Sequence, residues 1–333
     1  MPPATTYDTV SATLTNGASM TDPLFAVDLA DMTSAWWAAV DTSDGTKGRV
    51  YTSTGTELAC DWIDFNSGTQ TGQLRVKWSG TVLAGGSVTL HVYPPVAANA
   101  SVGVSDTYGQ YNAYPATLEV YLPLGGSLDD RTGNGRDATV NSGVPDPVAT
   151  AKFGGGYDFE RSNPDSMDST VPTMAAATVL AWIKPESLGS AMCITGQGFN
   201  DCRLRVQAGG YVDFTLSNSG TTTSNLALAT PGDWTHVVGC QDASAGRIHL
   251  NGTDRTDAGS GDATASLSGT LRIAARGSGT TNNFDGVIDE LQVYSEVRSA
   301  DQIALEYQMT AGSFWTITNV PLPTGSRRVM MVA

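Results

Sequence analysis

"FDGVIDELQVYSEVRSADQIALEY" (residues 284–307) changes its period halfway through. Up to Tyr294 it reads as a strand, in which successive side chains point to opposite faces. Asp285, Val287, Asp289, Leu291 and Val293 then line one face, and Gly286, Ile288, Glu290, Gln292 and Tyr294 the other. Beyond it, Ser299 and Gln302 have the spacing of a capping box. Ile303 and Tyr307 share a helical face at i, i+4. A long strand followed at once by a short capped helix fits a β-protein whose last helix covers a sheet edge or one end of a sandwich.

The neighbouring acids Asp289 and Glu290 raise the question of catalysis. Glycosidase carboxylates must flank one bond on a shared surface, about 5–9.5 Å apart. Strand alternation places these two on opposite faces. Jelly-roll glucanases carry acids in an E-x-D-x-x-E arrangement. Here Val287 stands two before Asp289 and Gln292 three after it, so the first and last acids are missing.

The rest of the chain agrees with an all-β reading. Of 333 residues only 15% are charged, against about a quarter in an average domain, and there are 37 glycines. Short runs such as "SVTLHVYP", "LRVKW", "VLAWIKP", "WTHVVGC", "RIHLNG" and "LRIAARG" alternate apolar and polar residues between Gly-, Ser-, Asn- and Asp-rich turns. Many such runs at close spacing imply a sandwich or jelly roll. In "SAWWAAV" an extended backbone directs Trp36 and Trp37 to opposite sides, one buried and one available for contact.

A net charge of −15 repels phosphate backbones, so no nucleic-acid partner is expected. No window has 18 uninterrupted apolar residues, so no membrane insertion is expected. The first residues show neither the charged nor the apolar region of a signal peptide, which implies a cytoplasmic start. The cysteines, Cys60, Cys193, Cys202 and Cys240, form no CxxC pair. Cys193 and Cys202 are spaced to face each other across a hairpin, and buried free thiols are the other reading. His91, His236 and His249 fall in strand-like runs without a GxSxG elbow, so no histidine catalysis is expected.

Five blocks, in order, resemble the laminin-G-like, concanavalin A-like jelly-roll family over residues 119–309. They are "LDDRTGNGRDATV" (128–140), "GGGYDFE" (154–160), "ATVLAWIKPES" (177–187) with Trp182, "GDWTHVVGCQDASAGRIHLNGT" (232–253), and "FDGVIDELQVYSEVRSADQI" (284–303). Residues 22–118 more loosely resemble an uncharacterised small β-sandwich that precedes such jelly rolls in surface and bacteriophage proteins. The expected organisation is an N-terminal β-sandwich for docking or assembly (1–118), a laminin-G-like jelly roll with one short C-terminal helix (119–310), and a C-terminal strand or tail (311–333).

The resemblance also implies sites. Jelly rolls of this kind often hold structural calcium, which takes six to eight oxygen ligands. Asp129, Asp130 and Asn134 in the opening turn, with Asp285 and Asp289 in the closing strand, are the candidate ligands; the alternative is that these groups cap turns. Glycan binding needs an aromatic platform with hydrogen-bonding neighbours. Loops offer Phe199, Asn200 and Asp201, and Asn282, Asn283 and Phe284. The alternative for those aromatics is that they cover the core.

The expectation is a non-enzymatic bacteriophage virion structural protein: a tail fibre, tail tip or head decoration subunit. Its lectin-like jelly roll would contact host-surface glycans or stabilise the particle, at the virion surface, among other virion proteins and as a homo-oligomer. The alternative is a cell-surface carbohydrate-binding module; a glycan-cleaving enzyme ranks behind both.

Overall fold

The computed structural model describes residues 6–15, 17–197, 201–216, 221–228, 230–258, 266–277 and 282–322. By contact the chain forms two compact units. One comprises residues 1–115 with 308–333, the other residues 116–307. The sequence divides the chain at 118 and 310 and sets residues 311–333 apart as a strand or tail. The division by contact returns the C-terminal segment to the first unit, because Thr316–Pro321 pairs along Thr6–Thr13.

The first unit holds a five-stranded sheet in the order Thr316–Pro321, Thr6–Thr13, Ser87–Tyr93, Arg49–Thr52, Glu57–Leu58. It also holds a three-stranded sheet of Leu24–Asp28, Thr71–Lys77 and Cys60–Asn66. Val10, Val50, Val88, Leu90 and Val92 from the first, and Phe25, Val27, Leu74 and Val76 from the second, are fully buried. Trp36 and Trp37 do not alternate: they lie on a short helix, Ser34–Ala39, capped by the Thr33 hydroxyl, and both are buried. Trp36 stacks near Trp62 and Trp37 near Phe65. Their indole N–H groups donate to the carbonyls of Val92 (2.9 Å) and Leu29 (3.1 Å), which lets two polar rings sit dry. Neither is a contact surface.

The second unit has two eight-stranded antiparallel sheets. In the closing-strand sheet, Gly286–Tyr294 lies centrally. It pairs on one side with Ala177–Pro185, and on the other with Gly156–Phe159 and then Leu118–Leu122. Thr235–Gln241 and Gly246–Leu250 extend the sheet beyond Ala177–Pro185. The second sheet runs Thr139–Ser142, Ser166–Met174, Leu267–Ile273, Met192–Gln197, Asp201–Val206, Val212–Thr215, Thr221–Ser224, Thr256–Ala258. One core joins them, including Val179, Ala181, Ile183, Val237 and Ile288 from the first and Met167, Ile194, Leu204, Phe214 and Leu271 from the second. Gly239 is required at its position, since a Cβ there would enter the Phe214 ring.

The closing strand departs from strict alternation. Leu180 pairs with Gln292 and Trp182 with Asp289, so Glu290 and Leu291 together oppose Ala181. This is a β-bulge, and Glu290 takes the left-handed conformation, φ 57°. Ile288, Leu291 and Val293 all enter the core, and neither Asp289 nor Glu290 does. The bulge therefore turns both acids to the face away from the core, which corrects the separation that a two-residue period demands.

That far face is covered by the helix Ala300–Ala311. The capping box forms: the Ser299 N–H donates to Gln302 Oε1 (2.9 Å) and the Gln302 N–H to Ser299 Oγ (3.2 Å). Tyr307 packs on Trp182 and His236, and Gln292 donates to Glu306 (3.0 Å). Cys193 is disulfide-bonded, and Cys60 and Cys240 are buried free thiols. No helix among the described residues is long and apolar enough to cross a membrane.

Ser299→Ala removes one half of the capping box and should lower stability by about 1 kcal/mol in a denaturant titration. Ser299→Asp, which restores the acceptor, should recover most of it.

Candidate functional site

The face of the second sheet that points away from the core carries an organised polar array. Arg205 lies between the core residues Leu204 and Val206, and Asp213 between Val212 and Phe214, so both project outward. The two stand directly opposite each other in register. They form an ion pair in which Arg205 Nε donates to Asp213 Oδ2 at 3.0 Å. Gln207 Nε2 donates to the other oxygen, Oδ1, at 2.5 Å. Asp213 is thereby buried and oriented, while the Arg205 side chain remains 36% exposed.

Tyr211 ends this row. It precedes the strand Val212–Thr215, is 44% exposed, and its carbonyl accepts the Gln207 N–H (2.7 Å). Leu226, 49% exposed, lies in a segment tied to the same strand. Ser224 Oγ accepts from the Val212 N–H and donates to the Leu226 carbonyl, both at 2.9 Å. Thr223 pairs with Asp213 from the next strand. An exposed ring beside a fixed guanidinium, amide and carboxylate is what a sugar ring needs: an apolar face to lie on and groups to meet its hydroxyls. Across the same sheet, Arg272 clamps Asp168 through Nε (2.7 Å) and Nη2 (2.9 Å) and reaches Asn141 (3.2 Å).

The loop residues singled out from sequence fare differently. Phe199 and Asn200 lie outside the described residues. Asp201 begins the strand Asp201–Val206. Phe284 is fully buried in the core, so it offers no platform. Asn283 is also buried and donates to the Asp165 carbonyl (3.4 Å). The Asn282 carbonyl accepts the Cys193 N–H (2.7 Å). The segment 282–284 is thus drawn inward to fasten neighbouring strands. Tyr211, Gln207 and Asp213 were missed, although "VQAGGYVD" (206–213) has the signal: a two-glycine hairpin flanked by an aromatic and polar residues of one strand parity.

Four of the five candidate calcium ligands, Asp130, Asn134, Asp285 and Asp289, are engaged with separate backbone groups. Asp130 is buried and takes the N–H groups of Tyr121 (3.1 Å), Thr132 (3.1 Å) and Arg136 (3.2 Å). Asn134 turns its amide N–H groups toward the carbonyls of Leu118 and Glu119. These two residues seal the outer edge of the strand Leu118–Leu122. Asp129 is exposed on the same turn. Asp285 accepts the Arg161 N–H (3.1 Å). Asp289 Oδ2 accepts the N–H groups of Lys152 (3.0 Å) and Phe153 (2.8 Å). Burial, and then the charge of Glu290, hold the Asp289 carboxyl well above the usual carboxylate range.

Among the described residues, Asp158, Glu160 and Glu186 form a group of three acids with oxygens within 4.8 Å of one another. Asp158 and Glu160 are two apart in "GYDFE" and share a strand face. Burial raises both carboxyls. Neighbouring charge adds to it, first from Asp146 on Asp158 and from Glu186 on Glu160, and Asp285 contributes to each.

Residues 155–304 match the family model of the concanavalin A-like lectin/glucanases superfamily. No curated protein matches the chain. Among solved structures, domain 4 of an extracellular arabinanase from Geobacillus stearothermophilus, in complex with arabinotriose, is 19% identical with a TM-score of 0.44. The match covers 57% of this chain and 98% of that one. The binding domain of botulinum neurotoxin serotype C1 is 10% identical, with a TM-score of 0.47 over 58% of this chain and 52% of that one. The binding domain of Paraclostridial Mosquitocidal Protein 1 is 12% identical, with a TM-score of 0.44 over 58% and 52%. The match thus spans about half the length of the two toxin domains.

Asp130→Ala should cost about 2–3 kcal/mol, because it strands buried N–H groups, and by the same amount in calcium and in EDTA. Asp158 and Glu160 have raised folded-state pKa values, so their contribution is fully present at acid pH and is lost as pH rises through those values. Asp158→Asn should therefore raise the melting temperature near about pH 7, with a gain that shrinks toward about pH 4.

Proposed function

We propose that this chain, whose second unit carries a concanavalin A-like, lectin-type domain, is a non-enzymatic glycan-contact module of an assembled particle surface. The observation that carries the reading is the Tyr211–Gln207–Asp213–Arg205 row. Its polar groups are held by one another, and its aromatic residue is left open to solvent. Recognition needs few moving parts there, so little ordering entropy opposes binding.

Burial supports the non-enzymatic part. Asp289 and Glu290 share a face but are 0% and 1% exposed, so a glycosidic bond has no route to them. Glu290 is engaged by the Tyr121 hydroxyl (2.8 Å).

The particle is proposed to be a virion, with the first unit as the part that docks. Supporting this division, the second unit is inserted in sequence between Ser87–Tyr93 and Thr316–Pro321 of the first. Both of its ends therefore continue in sequence into the first unit. Calcium has no role in the proposal.

A glycan array probed with the full chain tests the reading. Tyr211→Ala should weaken the strongest array ligand about tenfold or more, equivalent to about 1.4 kcal/mol. Its melting temperature should stay put, because the ring is exposed. A chain that binds no glycan, or one whose binding survives both Tyr211→Ala and Asp213→Asn, overturns it.

A further inference from the structure

An exposed strand edge is a row of unpaired N–H and C=O groups, and folded proteins normally guard it with brevity, charge, proline, bulges or cover. Edge after edge in this molecule follows that rule. Glu57–Leu58 is two residues long and carries a Glu57–Arg49 ion pair. Asp146–Val148 contains Pro147, and Thr253–Asp254 is two residues with an acid. Thr139–Ser142 is bulged, and Thr256–Ala258 is three residues with Asp257. Leu118–Leu122 is sealed by Asp130 and Asn134. Ala26, in the edge strand Leu24–Asp28, donates its N–H to the Met309 sulfur and accepts from the Trp315 indole.

Thr316–Val320 has none of these guards among the described residues. The whole strand, Thr316–Pro321, is six residues long, ends its sheet, and reads Thr-Ile-Thr-Asn-Val-Pro, with no charge and with proline only at the last position. Its pairing with Thr6–Thr13 runs without a register shift. Asn319 ties it to that neighbour through Thr6 Oγ1 (2.7 Å) and Asp8 Oδ1 (2.9 Å), so the strand is held straight and ready. Four of its six residues are Thr, Ile or Val, the types that favour strand pairing.

We infer that Thr316–Val320 is an assembly edge, and that its occupant is the same strand of a second copy of this chain, added antiparallel about a twofold axis at Thr318. The strand is its own complement in that register. Thr318 meets Thr318 of the second copy, Ile317 meets Asn319, and Thr316 meets Val320. All five residues pair, and no like charges face each other. A slip by one residue would set the solvent-side threonines against the core-side Ile317, so the pattern excludes that slip. The twofold axis makes the contact closed, giving a dimer and not a fibre.

The added strand also explains the composition of the face beside it. Cross-strand rows run Val320–Tyr7–Tyr93–Arg49 and Thr318–Thr9–His91–Tyr51–Glu57. Tyr7 stacks on Tyr93 and lies 4.8 Å from His91. These rows stiffen the sheet up to the edge, and pairing two copies joins them into one continuous face.

The test is the mass of the full chain in solution, by light scattering across a dilution series, on wild type, Thr318→Lys, Thr318→Glu and Thr318→Val. The wild type should have twice the chain's mass at high concentration, and Thr318→Val should keep it. Thr318→Lys and Thr318→Glu should each be monomers with unchanged melting temperature, because Thr318 is exposed on its own sheet. Mixed one to one they should recover the dimer, since the two side chains oppose each other across the axis. A monomeric wild type overturns the inference. So does a dimer that survives Thr318→Lys, which would use another surface. Hydrogen exchange adds a further check. Protection of 316–320 that does not fall on dilution means that this edge is covered from within the chain, and that also overturns the proposal.

Discussion

The second unit is organised around a strand that has to be buried on both faces. Gly286–Tyr294 takes neighbours on both sides, faces the jelly-roll core with one set of side chains, and faces a helix with the other. A strict two-residue period would send Glu290 inward with Ile288, and a carboxylate there would have no charge partner among methyl groups. The bulge at Glu290 resolves the conflict by one inserted residue. Leu291 moves into the core and Glu290 joins Asp289 outside it, where Tyr121 and the backbone of 152–153 supply donors. The helix is then a consequence. A face carrying Trp182, His236, Gln292 and Tyr294 must be covered, and Tyr307 and Glu306 cover it.

Most of the architecture was legible because it rests on period and order. Alternation in "SVTLHVYP" marks Val88, Leu90 and Val92 as core, and all three are fully buried. The spacing of Ser299 and Gln302 marks a helix start, and both capping bonds form. Three things were not legible. A bulge changes no residue type, so "VIDELQV" reads the same with or without it. "SAWWAAV" has a strand-like period only if it is extended, and Thr33 capping a single helical turn overrides that pattern. The pairing of Thr316–Pro321 with Thr6–Thr13 joins residues some 300 positions apart, beyond the reach of any local pattern.

The candidate site was less legible than the fold, for a related reason. Sequence marks loops by composition, and it is natural to look there for binding residues. Whether a loop aromatic is a platform or a plug depends on which way the chain turns at the strand end. Asn282 adopts φ 55°, and Phe284 enters the core. The oxygens of Asp130 and the amide of Asn134 were likewise spoken for by backbone groups. A turn rich in Asp and Asn satisfies its own N–H groups as readily as it gathers a cation, and the sequence is the same in both cases.

The proposed site draws instead on Arg205 and Asp213, which are borne on strands. Arg205, Gln207 and Asp213 hold one another across a register that the core residues between them enforce. Moving any one of them would require moving Leu204, Val206, Val212 or Phe214, each fully buried. On an otherwise acidic chain, the exposed guanidinium of Arg205 is already matched by Asp213, so the row presents directed hydrogen bonds more than net charge. On the proposed reading, such a surface discriminates by the placement of hydroxyls around a ring, and its affinity should be far less sensitive to salt than that of an unpaired basic patch.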